Sequence, residues 1–331
     1  MTKIAKIAAV AATTLVSANI ALADGHVDRT GWPESFTVGT GSQGGTYFGY
    51  GTGWANIVSE ELGVSGGAEV TGGPMQNMAL VHTGELAFGM TTMGPAAESI
   101  AGNNPIAPGL QMTGACAMFP MYQTPFSVTT LVSSGITSVA DIPAGARIGF
   151  GPAGSTSDTY FPRMMEELGV EFERRNGGWN DLGAQLQDGL LDVIAFAAGV
   201  PVPAVSQLEV QTEINIIAFT EEEQATISSA FPVANFDIAA DAYTTIDAPV
   251  RSVSMWNFAI AGCDLPETFI YGLVDAVMSD NERMVTAHGA ARSTLPEFWD
   301  RNQVMMWHPG AARWFTENAD AEIAADMIYG G

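Results

Sequence analysis

From residue 35 onward, short apolar runs alternate with stretches whose apolar residues recur at helical spacing. Residues 35–39 (Ser-Phe-Thr-Val-Gly) have strand character and run into a glycine loop. Trp54, Ile57, Val58 and Leu62 then follow the spacing of one helix face. Residues 68–71 predict a second strand, Gly72-Gly73-Pro74 a loop with proline in a first helical turn, and residues 86–90 a third strand. This β-α-β-α-β order implies a parallel sheet with crossover helices.

The pattern then restarts. Strands are expected at residues 126–132 and 147–150, and the second again ends in a glycine loop. Phe161, Met164, Met165 and Leu168 lie at i, i+3, i+4 and i+7, with Gly169 as the helix stop. A strand at 170–173 and a helix on Trp179, Leu182, Leu186 and Leu190 follow. The continuously apolar runs 192–196 and 214–219 suit buried parallel strands. A strand at 254–260 and helices at 269–277 and from Pro309 to the end complete the reading. The fold class read from this order is α/β, and the two successive units suggest two lobes. Residues 24–125 plus about 250–331 form lobe I, and about 126–249 lobe II. Chain crossings near Thr124-Pro125 and Asp247 to Arg251 are the candidate hinges.

The first 23 residues stand apart. A basic start with Lys3 and Lys6, an apolar run and Ala21-Leu22-Ala23 before Asp24 read as a secretory signal peptide cleaved after Ala23. That places the chain in the periplasm. Both lysines of the sequence fall in this leader, so the remainder has ten arginines against 36 acidic groups, a formal charge of −26. Such a balance excludes nucleic acid and an anionic membrane surface as partners, and suits a salt-rich surrounding that screens self-repulsion. Cys116 and Cys263 are either a disulfide or two buried thiols; their spacing does not decide.

Chemistry concentrates in two similar loops. Gly39-Thr-Gly41-Ser-Gln-Gly44 follows the first strand of one lobe. Gly149-Phe-Gly151-Pro-Ala-Gly154, with Ser155-Thr156-Ser157 directly after it, follows the matching strand of the other. Each sets glycines and hydroxyls between a strand and a helix N-terminus, where free N–H groups and the helix dipole suit a carboxylate or phosphate. The literal G-x-G-x-x-G spacing carries little weight as a dinucleotide signal in a secreted chain. There is no G-x-S-x-G, the four histidines are scattered, and no Cys/His cluster has zinc spacing. No catalytic set, metal site or cofactor is expected. His308, before Pro309-Gly310, reads as a turn or packing residue, and Glu166-Glu167 and the run 221–223 as solvated positions.

Several segments resemble the TAXI family, the solute receptors of one branch of the tripartite ATP-independent periplasmic (TRAP) transporters. They are Val38-Gly-Thr-Gly-Ser-Gln-Gly-Gly-Thr-Tyr47, Glu69-Val-Thr-Gly-Gly-Pro-Met-Gln-Asn77, Gly149-Phe-Gly-Pro-Ala-Gly-Ser-Thr156, Gly199-Val-Pro-Val-Pro203 and His308-Pro-Gly-Ala-Ala-Arg313, in the family's order. The resemblance implies a periplasmic-binding-protein-like fold (type II-like), two α/β lobes joined by a hinge with the ligand in the interlobe cleft, and a binding protein and not an enzyme: one that closes on a small carboxylate or amino acid of the glutamate or 2-oxoglutarate kind and presents it to a TRAP membrane subunit. It also implies a site. Gly41, Ser42, Gln43, Gly44 and Tyr47 would line one wall, joined from the same lobe by Thr71, Asn77 and Thr91. Gly154, Ser155, Thr156 and Ser157 would face them, with Gly199, Val200 and Pro201 at the rim. Arg147 and Arg163 are the only guanidinium groups near these motifs. The rival readings are a ligand-sensing module for a signalling kinase, which uses the same clamp, and a secreted enzyme, which lacks an evident nucleophile or metal.

Overall fold

The structure, a computed structural model, describes residues 28–331; the expected leader and its cleavage point lie outside the described residues. The chain opens as β1 (Ser35–Gly39), α1 (Thr46–Leu62), β2 (Ser65–Glu69), α2 (Pro74–His82), β3 (Phe88–Thr92) and α3 (Met93–Ile100). The long β4 (Ala115–Leu131) leads to β5 (Ala146–Gly149), α4 (Thr156–Glu167), β6 (Phe172–Arg175), α5 (Trp179–Gln187), β7 (Val193–Ala197) and α6 (Pro203–Gln211). Then come β8 (Ile214–Ile217), α7 (Glu221–Ala230), β9 (Ala234–Ile238), a second long strand β10 (Val250–Gly262), α8 (Glu267–Met278), α9 (Asn281–Ala287) and α10 (Pro309–Asn318). The strand order is β2-β1-β3-β10-β4-β7-β5-β6, with β8 on β4 and β9 on β10. β1 pairs in parallel with β2 and β3, and β5 with β6 and β7, as crossover helices require.

Two strands, β4 and β10, run through both halves. β4 pairs antiparallel with β10 as far as Pro125, opposite Ser254, and from Phe126 pairs with β7 and β8. β10 pairs with β9 up to Ser254 and reaches β3 from Asn257, beyond the expected 247–251 segment. Register shifts between Trp256 and Phe258 and between Ala259 and Ile260 bend it there. Pro120 and Pro125 fall where β4 has β10 on one side only, so neither removes a ladder bond from a two-sided strand. The core divides in the same way. One cluster joins Phe36, Trp54, Phe88, Phe119, Phe258 and Trp307; the others hold Phe126, Phe161 and Met255, and Trp179 with Phe196.

Local chemistry explains several boundaries. α4 ends as expected at a left-handed Gly169 (φ 74°), whose N–H bonds Glu166 O while that of Val170 bonds Met165 O. Pro162 inside α4 withdraws a donor from Asp158 O, and Arg174 Nη2 supplies one at 3.2 Å. Glu223 and Thr220 form a reciprocal cap on α7, so the acidic run 221–223 is a helix start. The last helix stops at Asn318 instead of running to the end, and Asp320 takes a positive φ of 49°. The early half of β4 was not expected: its unbroken apolar run has no alternation and contains two prolines. Of the two cysteine alternatives, the structure holds the disulfide: Cys116 and Cys263 are bonded at 2.01 Å, tying the start of β4 to the residue after β10. Among the described residues no helix is long and apolar enough to cross a membrane.

Candidate ligand-binding cleft

The tips of β1 and β3 and the start of α2 are laced together by Asn77. This residue is fully buried; its Nδ2 donates to Thr40 O at 2.8 Å and to Met90 O at 2.9 Å. Its Oδ1 accepts from Thr71 Oγ1 at 2.7 Å, and the same hydroxyl accepts from Gly73 N at 3.1 Å. Thr71 and Asn77 therefore shape the wall without lining the cavity. On the other lobe Ser155 caps α4 by accepting from Asp158 N at 3.1 Å, and the Asp158 carboxylate returns to Gly154 N at 3.0 Å.

The two walls touch. Met75 N donates to Gly154 O (3.3 Å), Ala204 N to Gly44 O (3.0 Å), and Trp179 N approaches Ser42 Oγ at 3.4 Å. Thr46 Oγ1 donates to Gly199 O, and the Thr92 and Thr156 hydroxyls meet at 2.6 Å. This is a closed cleft. Two glycines are needed for it. Gly44 has φ 82°, and a Cβ there would lie 2.1 Å from Asn180 Oδ1. A Cβ on Gly199 would lie 2.3 Å from the Tyr122 ring.

Between the walls lies a cavity of about 40 Å³. Five helix N-termini open onto it: Gly45 and Thr46 of α1, Gly73 and Pro74 of α2, Thr92 capping α3, Ser155 and Thr156 of α4, and Trp179 at the start of α5. Among the described residues no charged side chain lines it. Arg147 is held by Asp192 at 2.7 Å and Arg163 by Glu98 at 2.9 Å, neither in the cavity wall. Tyr47 OH donates to Asn257 Oδ1 at 2.7 Å, and burial pushes this phenol far above its ordinary pKa, so it stays neutral. Trp179 stacks on Phe196 with ring centroids 4.5 Å apart, which fixes its indole as one face of the cavity.

Of the residues singled out from the sequence, Gly41, Ser42, Tyr47, Ser155 and Thr156 line the cavity. The others lie around it. Gln43 is exposed, while Gly44 and Gly154 give their carbonyls to cross-cleft bonds. Thr91 is buried one residue away from the lining Thr92 and its hydroxyl bonds Thr92 O at 3.3 Å. Ser157 is spent on Ala195 O. Gly199 accepts from Thr46, and Val200 and Pro201 border a separate pocket of about 280 Å³ with Tyr122 and Gln123. Sequence reasoning missed Trp179, Thr124, Pro152 and the Ala197–Ala198 pair. Trp179 had been read only as a helix-face residue; its place directly after Gly177-Gly178 was the available signal. His308 caps α10 away from the cavity. Its Nδ1 accepts from Gly310 N (3.2 Å), its Nε2 lies 3.0 Å from Leu265 O, and burial lowers its pKa to about 4.

The architecture is that of the periplasmic binding proteins. The periplasmic binding protein BugD superposes with a TM-score of 0.56 at 14% identity, covering 87% of this chain and 98% of that one. MatC from Rhodopseudomonas palustris, solved with bound malate, gives 0.53 at 13% identity over 85% and 98% of the two chains. R. palustris Rpa4515 with adipate gives 0.52 at 19% identity over 77% and 83%. Residues 38–318 match the family model described as NMT1-like. That match takes in both glycine loops, both long strands β4 and β10 and all of α10, and the chain belongs to the NMT1-like family.

Proposed function

We propose that the chain is a periplasmic solute receptor of a TRAP transporter of the TAXI type, which captures a small organic anion by closing its two lobes and delivers it to a membrane permease. The observation that carries this reading is the convergence of five helix N-termini, with hydroxyl side chains, on one space between the walls that no charged side chain lines among the described residues. Each terminus offers a partial positive charge and those of its first N–H groups that the capping and cross-cleft bonds leave over, worth about 0.3–1 kcal/mol to an anion at an exposed site and more when water is excluded. A carboxylate supplies what these donors lack. The bound solute would bridge loops from both lobes, favouring the closed arrangement, while β4 and β10 carry the bending. The malate and adipate bound by two neighbours of this fold agree with such chemistry. The leader ending at Ala23 and the Cys116–Cys263 disulfide both fit an oxidising periplasm. The TAXI assignment rests on the ordered motifs from Val38 to Arg313.

The test is a thermal-shift screen of the chain from Asp24, refolded to remove carried-over solute, in high salt against small organic acids and amino acids. Binding to the folded state raises the melting temperature by mass action, about 2.7 kcal/mol of stabilisation at one hundred times Kd. A saturable shift with at least one acid, lost in Ser155→Ala with Thr156→Ala, is expected. No shift from any compound in the screen sinks the receptor reading. Uptake into vesicles containing the permease, dependent on this chain, tests the transport step.

A further inference from the structure

We infer that the solute is a monocarboxylate, in preference to a dicarboxylate or an α-amino acid. This rests on the receptor reading and narrows it. The cavity belongs to the closed state, because the walls bond to each other around it, and its volume is about 40 Å³.

Charge narrows the choice further. Lys3 and Lys6 are the only lysines of the chain and lie outside the described residues. Every arginine from Arg147 onward has a carboxylate oxygen within 3.9 Å. Arg29 instead lies over the Trp32 ring at 4.8 Å. No cation is therefore turned to the cavity. One carboxylate can be held by the converging N–H groups and by Ser155 Oγ, whose proton has only a 3.4 Å contact to Phe150 O. A second carboxylate would be buried without a partner, and an isolated buried charge is strongly unfavourable.

An ammonium group fares no better. No carboxylate lines the cavity, Tyr47 OH is already spent on Asn257, and the helix ends present positive potential. The remaining wall is apolar: Pro74, Pro152, Ala197, Ala198 and the Trp179 indole. That surface suits a hydrocarbon tail. The arrangement therefore pairs one anion-binding end with one apolar end at short range.

The experiment is a calorimetric titration of the refolded chain with matched acids: propionate, pyruvate and butyrate, against succinate, 2-oxoglutarate, glutamate and alanine. At least one monocarboxylate is expected to bind 100-fold more tightly than its dicarboxylate counterpart, and alanine to give no heat of binding. Tighter binding of a dicarboxylate or an α-amino acid overturns this inference and leaves the receptor reading standing. No binding by any of the seven acids, nor in the wider screen above, overturns both. Ala198→Leu, which fills the space, should abolish monocarboxylate binding while the ligand-free melting temperature stays within a few degrees. Unchanged affinity in that variant places the solute elsewhere and also overturns the inference.

Discussion

His308 makes stability depend on pH in a way the structure quantifies. Burial is the main cause of its depressed pKa, about 4 against 6.5. Both ring nitrogens are engaged: the Gly310 amide donates to Nδ1, and Leu265 O accepts from the Nε2 proton in the neutral ring. Protonating Nδ1 would set one N–H against another. The folded pKa is lowered, so below pH 6.5 the unfolded chain takes up a proton that the folded chain refuses. Stability from this group is complete above pH 6.5 and is lost as pH falls through the window from 6.5 to 4. With those two values linkage gives a loss of about 2 kcal/mol by about pH 5 and about 3 kcal/mol by about pH 4. His288 shifts in the same direction through burial, and the carboxylates also titrate, so a paired comparison is required. His308→Asn removes the titration but keeps a good N-cap acceptor for the Gly310 amide. Urea unfolding of both proteins at about pH 7.5 and about pH 5 should show the variant gaining about 2 kcal/mol on the wild type as pH falls. Parallel pH dependence of the two would refute the argument.

The other predictions follow from single features. Removing the disulfide with the double change Cys116→Ser and Cys263→Ser frees a loop with a sequence separation of 147. Loop-closure entropy puts the loss at up to about 5 kcal/mol, read by denaturant unfolding, and a loss below about 1 kcal/mol would mean the β4–β10 pairing already restrains that loop. Asn77→Ala removes one donor each from Thr40 O and Met90 O and one acceptor from the Thr71 hydroxyl, which keeps Thr40 O at 3.0 Å. It should cost about 2–3 kcal/mol of stability and weaken solute binding although Asn77 does not line the cavity; unchanged affinity would show the loops hold their shape without it. With a formal charge of −26 over residues 24–331, the melting temperature should rise as NaCl screens self-repulsion. A flat salt profile contradicts that.

Much of the fold was legible because its signals are local. The alternation of apolar runs with helical spacing gave the β-α-β order, and the Gly169 stop behaved as read. Boundaries drifted where the signal was weak. β2 is the glycine-rich edge strand Ser65–Glu69 and not residues 68–71, and β6 begins at Phe172. The site was half legible. Glycine-and-hydroxyl loops mark helix N-termini from sequence alone, so Ser42, Ser155 and Thr156 could be picked out. Which neighbour in a loop faces the cavity depends on the strand's last residue: Thr92 lines the cavity and Thr91 beside it does not, because successive side chains of a strand point to opposite faces.

The sequence alone thus determined what periodicity, composition and loop chemistry encode: two successive α/β units, an acidic stretch without lysine from residue 24 onward, and two glycine-and-hydroxyl turns at helix starts. The tertiary structure decided what depends on residues far apart in the chain. It paired Cys116 with Cys263, made two long strands the passage between the lobes, and withdrew the arginines into ion pairs. It also brought Trp179 against the α1 loop, which set the size of the cavity. Those outcomes turn on distances between side chains separated by 45 to 147 residues, and local sequence patterns hold no record of such distances.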